Sequence, residues 1–317
     1  MPKLLGIFKT VSYDYTLGIA GIFFLILLFA FGGLFSPPES VSLVPKPEIP
    51  FEYAKLSLGA KAFYVYDAAN HRELFSKNGD AQLPLASLTK VMTAVAALPI
   101  LPESTVITIN PEFLKSEGDS GLYNNERWRL RDLLDLTLLE SSNDGANAIA
   151  AVAGAMGQEN VPYDLEQKQF VDIMNKKASE LGLTQTYFLN PTGLDESGSI
   201  SGGYGSARDV ANLFYYAIST HPSLFGITRY QNRKLDSLSS LEHEVKNTNT
   251  FVDKIPSLLG SKTGFTDLAG GNLVIAFGAG LNRPIVISVL GSTEQGRFED
   301  AEKLVWATLA YFERSEL

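Results

Sequence analysis

Cysteine is absent from this sequence, and histidine occurs only at His71, His221 and His243. The first absence excludes disulfides, thiolate catalysis and Cys-ligated zinc or iron–sulfur centres together. The scarcity of histidine means that a histidine metal site would need all three to converge, and their spacings match no helical ligand pair such as H-E-x-x-H, so neither a metal nor a cofactor is implied. Clustered basic charge is missing too. Lys+Arg of 26 against Asp+Glu of 35 leaves a net charge of −9, and the scattered basic residues offer no track for a phosphate backbone, which argues against nucleic acid as a partner. What the chain has is 317 residues with 45% hydrophobic content, enough for a substantial core in one large domain or two small ones.

One stretch lacks charge altogether. Residues 17–35, LGIAGIFFLILLFAFGGLF, come close to the roughly 20 apolar residues that carry a helix across a bilayer core. Lys3 and Lys9 precede the stretch while Pro37, Pro38 and Glu39 follow it. The positive-inside bias therefore puts residues 1–16 in the cytoplasm and the rest outside the cell membrane. A cleaved signal peptide would have a shorter apolar segment, about 7–15 residues, ending at a small-x-small site. Leu34 and Phe35 occupy the place where small residues would be wanted, so an uncleaved single-pass anchor in contact with the lipid bilayer is expected. Residues 36–56 read as an extracytoplasmic linker, because the prolines of SPPESVSLVPKPEIP block helix and sheet ladders and favour extended geometry. Residues 57–317 are expected to form one compact domain.

Within that domain, Ala62–Asp67 is β-rich and is followed by a polar turn and a second short strand at Glu73–Phe75, a hairpin. Ser87–Leu98 begins with a capping-type residue and continues with helix-compatible apolar ones up to Pro99. This places Ser87 at a helix N-terminus. Leucines at 133, 134, 136, 138 and 139 predict a buried helix over Arg131–Glu140, and Asp144–Ala155 predicts an alanine-rich one, with Ser141-Ser142-Asn143 at the break. Helices are predicted at Gln167–Leu181, Ala207–Ser219 and Phe298–Tyr311, and strands at Asn272–Phe277 and Pro284–Leu290. Strands at both ends enclosing a helical middle predict an α+β fold, one antiparallel sheet assembled from the two ends of the domain and packed with a mainly helical subdomain.

Three short elements carry the chemistry, in chain order Ser87-Leu88-Thr89-Lys90, Ser141-Ser142-Asn143 and Lys262-Thr263-Gly264. A Ser-x-x-Lys alone arises by chance roughly once in a chain of this length, so order and context decide. A serine hydroxyl is a poor nucleophile until a base removes its proton, and a lysine three residues later on one helix lies a turn away on the same side. To act as that base at neutral pH the amine must be uncharged, which a desolvated pocket and nearby positive charge bring about. Lys262 can supply the charge while attracting an anionic substrate terminus. The Ser87 amide, at a helix N-terminus, is free to donate to the oxyanion of an acyl-transfer intermediate, and a second donor is expected from the strand that bears Lys262. Gly118-Asp119-Ser120-Gly121 resembles the serine block of chymotrypsin-like proteases, but that mechanism needs a histidine base in a mostly β fold, and the chain around His71 is helix-rich.

The three elements together resemble the S-x-x-K, S-D-N and K-T-G signature of penicillin-binding proteins and class A β-lactamases, with Ser142 in place of the aspartate, and their surroundings extend the likeness. Pro84–Ala94, Leu139–Asp144, Leu181-Gly182-Leu183, Thr186, Phe188–Asp195, Ser206–Asp209, Gly260–Thr266, Ala269-Gly270 and Arg297-Phe298 with Asp300 resemble the serine D-alanyl-D-alanine carboxypeptidases, the low-molecular-mass penicillin-binding proteins. The resemblance runs from about Ala60 to the C-terminus and implies a β-lactamase/transpeptidase-like fold. Carried over residue by residue, it implies Ser87 as acyl-ester nucleophile, Lys90 as general base and Ser141 as a proton relay towards the leaving group. Asn143 would orient Lys90 and a substrate amide, Lys262 and Thr263 would hold the terminal carboxylate, Gly264 would belong to the substrate-binding set, and the N–H groups of Ser87 and Phe265 would form the oxyanion hole. The implied reaction removes the terminal D-alanine from peptidoglycan stem peptides, with β-lactam antibiotics as covalent inhibitors.

Three departures from the family pattern stand out. Asn70-His71-Arg72 replaces a frequent Thr-Gly pair, and Ser142 fills a position that is often alanine or glycine. The chain also ends soon after its closing helix, so a C-terminal β-domain and terminal amphipathic anchor are expected to be lacking and the N-terminal helix to do the anchoring. A class A β-lactamase would need a deacylating glutamate in an E-x-x-L-N segment, and Thr186 stands at that position. A murein endopeptidase that cuts D-alanyl crosslinks would use the same residues, and a catalytically silent wall-binding protein would keep the fold without the chemistry.

Overall fold

The computed structural model describes residues 50–118 and 120–315. The expected membrane span at 17–35, with the residues that flank it up to 49, lies outside the described residues. Among the described residues no helix is long and apolar enough to cross a membrane.

The elements run in the order α1 (Phe51–Ala54), β1 (Ala62–Asp67), β2 (Arg72–Lys77), β3 (Leu83–Pro84), a 3₁₀ turn at Ala86–Leu88, α2 (Thr89–Ala97), β4 (Val106–Thr108), β5 (Arg127–Arg129), α3 (Leu130–Leu139) and α4 (Asn143–Gly154). They continue with α5 (Tyr163–Glu180), β6 (Tyr187–Phe188), β7 (Gly203–Gly205), α6 (Ala207–Thr220), β8 (Asn232–Asp236), β9 (Glu242–Lys246), β10 (Leu258–Thr266), β11 (Gly270–Gly278), β12 (Pro284–Ser292) and α7 (Gly296–Ser315). As expected, the two ends of the domain build one antiparallel sheet, in the order β10-β11-β12-β1-β2.

Both faces of the sheet are covered at its central strands, which is why β11 and β12 read as near-continuous apolar runs. Side chains alternate between two cores. Ala62, Tyr64, Val274, Ala276 and Val286 join the helical core of α2 to α6, while Phe63, Val65, Ile275, Phe277, Ile285 and Ile287 pack with Leu304 and Val305 of α7. Helix α2 is buried along its whole length, and its polar residues Lys90 and Thr93 find hydrogen-bond partners inside, as buried polar groups must.

Two expectations need correction. Residues 51–54 fall in the expected linker but form α1, because Tyr53 is buried, stacks on Phe75 at 4.7 Å and donates its hydroxyl to Thr308. Ser87 stands at the head of helical chain as expected, but within a 3₁₀ turn that lacks a side-chain cap, and α2 itself starts only at Thr89 rather than at Ser87. The small sheets β3-β7-β6, β4-β5 and β8-β9 were not read from the sequence.

Candidate active site

Strand β10 is one edge of the main sheet, and its unpaired side meets the 3₁₀ turn and the α3–α4 junction. The approach is close enough to need glycine. A Cβ on Gly264 would stand 2.8 Å from the Leu85 carbonyl oxygen and 3.1 Å from the Ser87 amide nitrogen. On the other side of the turn, Gly193 has φ +80° and a Cβ there would overlap the Ala86 carbonyl. The nucleophile turn is thus gripped between two glycines, and Ala86 and Ser141 are themselves held at φ 48° and 68°, a left-handed strain that such packing sustains.

Lys90 sits at the centre, with no exposed surface. Its Nζ is 2.8 Å from Ser87 Oγ, 2.7 Å from Asn143 Oδ1 and 2.8 Å from the Thr192 carbonyl. Burial pushes its pKa down to about 7. Two of the three partners, the amide oxygen and the carbonyl, only accept hydrogen bonds. An uncharged amine spends its two N–H groups on them and turns its lone pair to the third, so the Ser87 hydroxyl then donates to Lys90.

Ser141 and Lys262 form a second pair. Lys262 Nζ donates to Ser141 Oγ and to the Thr263 carbonyl, each at 2.8 Å. Its pKa is driven well below the usual lysine value by burial first, then by the charges of Lys90 and Arg297. Asn143 fixes both ends of its amide, accepting from Lys90 and donating to the Glu117 carbonyl at 2.6 Å. Thr263 Oγ1 lies 2.5 Å from Thr248 Oγ1, and Phe265 pairs with Gly271 with its ring exposed. The structure therefore brings Ser87, Lys90, Asn143 and Gly264 into one contact set, with Ser141, Lys262 and Thr263 joined in a second. No hydrogen bond ties the side chain of Phe265 to either.

Sequence reading missed Thr192, Thr248 and Arg297. Arg297 is 6% exposed and donates from Nη1 to the Gly264 carbonyl at 2.9 Å, and among the described residues its Nε finds no hydrogen-bond partner. A cation in the first turn of a helix opposes the macrodipole, and that local conflict was a usable signal for Arg297. Thr192 contributes a backbone oxygen, to which residue type gives no clue. Thr186 donates to Asp209, a structural bond. Among the described residues no group of His, Cys, Asp and Glu could hold a metal ion.

Comparisons with known proteins identify the family and the fold. Residues 50–294 match the family model of D-alanyl-D-alanine carboxypeptidases, Peptidase_S11. The D-alanyl-D-alanine carboxypeptidase DacF of Bacillus subtilis is 27% identical over 274 residues, covering 83% of this chain and 66% of its own length. The chain thus spans slightly less than two thirds of that relative. Among solved structures, a D-alanyl-D-alanine carboxypeptidase from Mycobacterium tuberculosis superposes with a TM-score of 0.70 at 27% identity, over 80% of this chain and 92% of that one. Penicillin-binding protein D2 of Listeria monocytogenes, solved in its ampicillin-bound form, gives a TM-score of 0.66 at 28% identity, over 80% and 98%.

Proposed function

The chain belongs to the D-alanyl-D-alanine carboxypeptidase family of serine peptidases, and from that premise we propose that it removes the terminal D-alanine from peptidoglycan stem peptides through an acyl-enzyme on Ser87. The observation that carries this reading is the hydrogen-bond set of Lys90, whose two obligate acceptors leave the Ser87 hydroxyl as the only donor to its lone pair. Ser87 Oγ attacks the carbonyl of the penultimate D-alanine and its proton passes to Lys90. The oxyanion accepts from the backbone N–H of Ser87 and of Phe265 on the edge strand. The C–N bond then breaks as the proton taken by Lys90 is relayed through Ser141 to the departing amine, and water later adds to the ester carbonyl, leaving the shortened peptide as a carboxylic acid and returning a proton to Ser87. Lys262 and Thr263 form the subsite for the terminal carboxylate, with Gly264 lining the substrate site; the Arg297 guanidinium favours an anion there, and an arriving carboxylate favours the charged form of Lys262. β-Lactams are read as trapping Ser87 in the same way, a reading supported by the ampicillin-bound relative. The charge-free stretch at 17–35 is read as a single-pass anchor that keeps the domain outside the cell membrane, within reach of the wall.

Mass analysis of purified muropeptides after incubation tests the substrate. Pentapeptides are expected to lose one D-alanine. Splitting of crosslinked dimers with pentapeptides left intact would sink the reading in favour of an endopeptidase.

Gly264→Ala is expected to slow acylation by a labelled penicillin at least about 10-fold, since a shift of even a fraction of an ångström at the oxyanion site costs this much. Its extra methyl would meet the Leu85 carbonyl at 2.8 Å. An unchanged rate would mean that the strand does not approach the Ser87 amide so closely.

A further inference from the structure

Ser120, in the block set aside above as a protease look-alike, is 9% exposed and lies 2.6 Å from Ser142 Oγ and 3.2 Å from Asp144 Oδ2. The order of protons in this chain is fixed by chemistry. A carboxylate only accepts, so the Ser120 hydroxyl donates to Asp144. Ser142 therefore donates to Ser120 and receives the Gly145 N–H at 2.9 Å on its remaining lone pair. Each bond polarises the next. Ser142, 2% exposed, is thus both the N-cap of α4 and a tie between that helix and the loop that carries Ser120.

The same loop makes two further bonds to α4. Asn143 Nδ2 donates to the Glu117 carbonyl at 2.6 Å, and Asn147 Nδ2 donates to Ser116 Oγ at 2.6 Å. The first reaches the reacting groups. The Asn143 amide is one rigid plane, so the bond from Nδ2 to Glu117 selects the rotamer that turns Oδ1 to Lys90 at 2.7 Å. Ser120 touches neither Lys90 nor Ser87, and it acts on them only by holding the loop against Asn143.

We propose that Ser120 and Ser142 form a positioning pair that locks the Asn143 amide onto Lys90, so that the position often filled by alanine or glycine in this family sets the orientation of the base here. The proposal rests on the reading of Lys90 as the base. It separates the two serines: Ser120→Ala cuts the tie to the loop but leaves the cap of α4 in place, whereas Ser142→Ala removes both.

The test is a double-mutant cycle on the rate constant of acylation by a labelled penicillin, run on the full chain with melting curves alongside. Ser120→Ala is expected to lower that rate constant about 10-fold, with little change in the concentration at half-saturation and in melting temperature. In an Asn143→Ala background the same substitution is expected to change nothing, since Ser120 acts through Asn143. The acid limb of the acylation profile is expected to move to lower pH in Ser120→Ala, because a protonated Lys90 loses an acceptor. Ser120→Cys, nearly the same shape with a weak donor, gives the same comparison if the alanine variant folds poorly. An unaltered rate in Ser120→Ala, or an equal loss with and without Asn143, overturns the positioning role. A wild-type protein that takes no label overturns the parent reading as well and is distinguished by that control.

Discussion

Ser87→Ala is expected to take no covalent penicillin label and to trim pentapeptides at least about 10³-fold more slowly than the wild type, with an unchanged melting curve. The size follows from what the hydroxyl alone supplies. Without it no acyl-enzyme forms, and what remains is binding at Lys262 and Thr263 together with any direct attack by water. Stability is spared because Ser87 is only partly buried and caps no helix. The Lys90 amine that loses this neighbour keeps Asn143 and Thr192 as partners. Gel fluorescence of labelled protein and mass detection of released D-alanine check the two halves separately. A variant still labelled at the wild-type rate would remove Ser87 from the mechanism, and would leave a different nucleophile to be found.

How much of this was legible before the fold is best seen residue by residue. The apolar runs that become β11 and β12 were readable because both faces of the sheet are covered, and the 3.6-residue pattern of α3 was readable because one of its faces is half-exposed. The β8-β9 hairpin was not, since Asn232–Asp236 carries charge where a strand signal wants branched apolar residues, and only His243 and Val245 of β9 turn inward. Strands β3 and β6 have two residues each, too short for any period. Ser87 is found through its spacing to Lys90 and does stand at the head of a helix, but the 3₁₀ turn that holds it between Gly193 and Gly264 depends on close packing of distant segments, which no local pattern signals. The link between Ser141 and Lys262 spans 121 residues, so only the family resemblance could suggest it. The carbonyls of Glu117 and Thr192 are backbone atoms, and no reading of side chains finds them.

Lys90→Met is expected to lose acylation by at least about 10³-fold and, unlike Ser87→Ala, to change how stability depends on pH. For the wild type, acylation needs the uncharged amine, so its rate falls about tenfold per pH unit below the pKa near 7 and levels off above it. Stability follows the same group with a different window. Unfolded Lys90 keeps the ordinary value of 10.5, and the folded one is lowered to about 7 by burial. Between these values the unfolded chain binds the extra proton, so the stability of the wild type relative to Lys90→Met rises with pH, by about 1.4 kcal/mol per unit where the difference is complete. Below pH 7 both states are protonated and above 10.5 neither is, so the difference is flat on either side. Lys262 is present in both proteins and, once Lys90 has lost its charge above about pH 7, feels no charge from that position in either, so its contribution cancels across pH 8 to 10. Denaturant melts of the two proteins at pH 6, 8 and 10 therefore report the protonation of Lys90 without reference to turnover, and a stability difference that stays constant across that range would mean that the lysine is charged in the folded protein and cannot be the base.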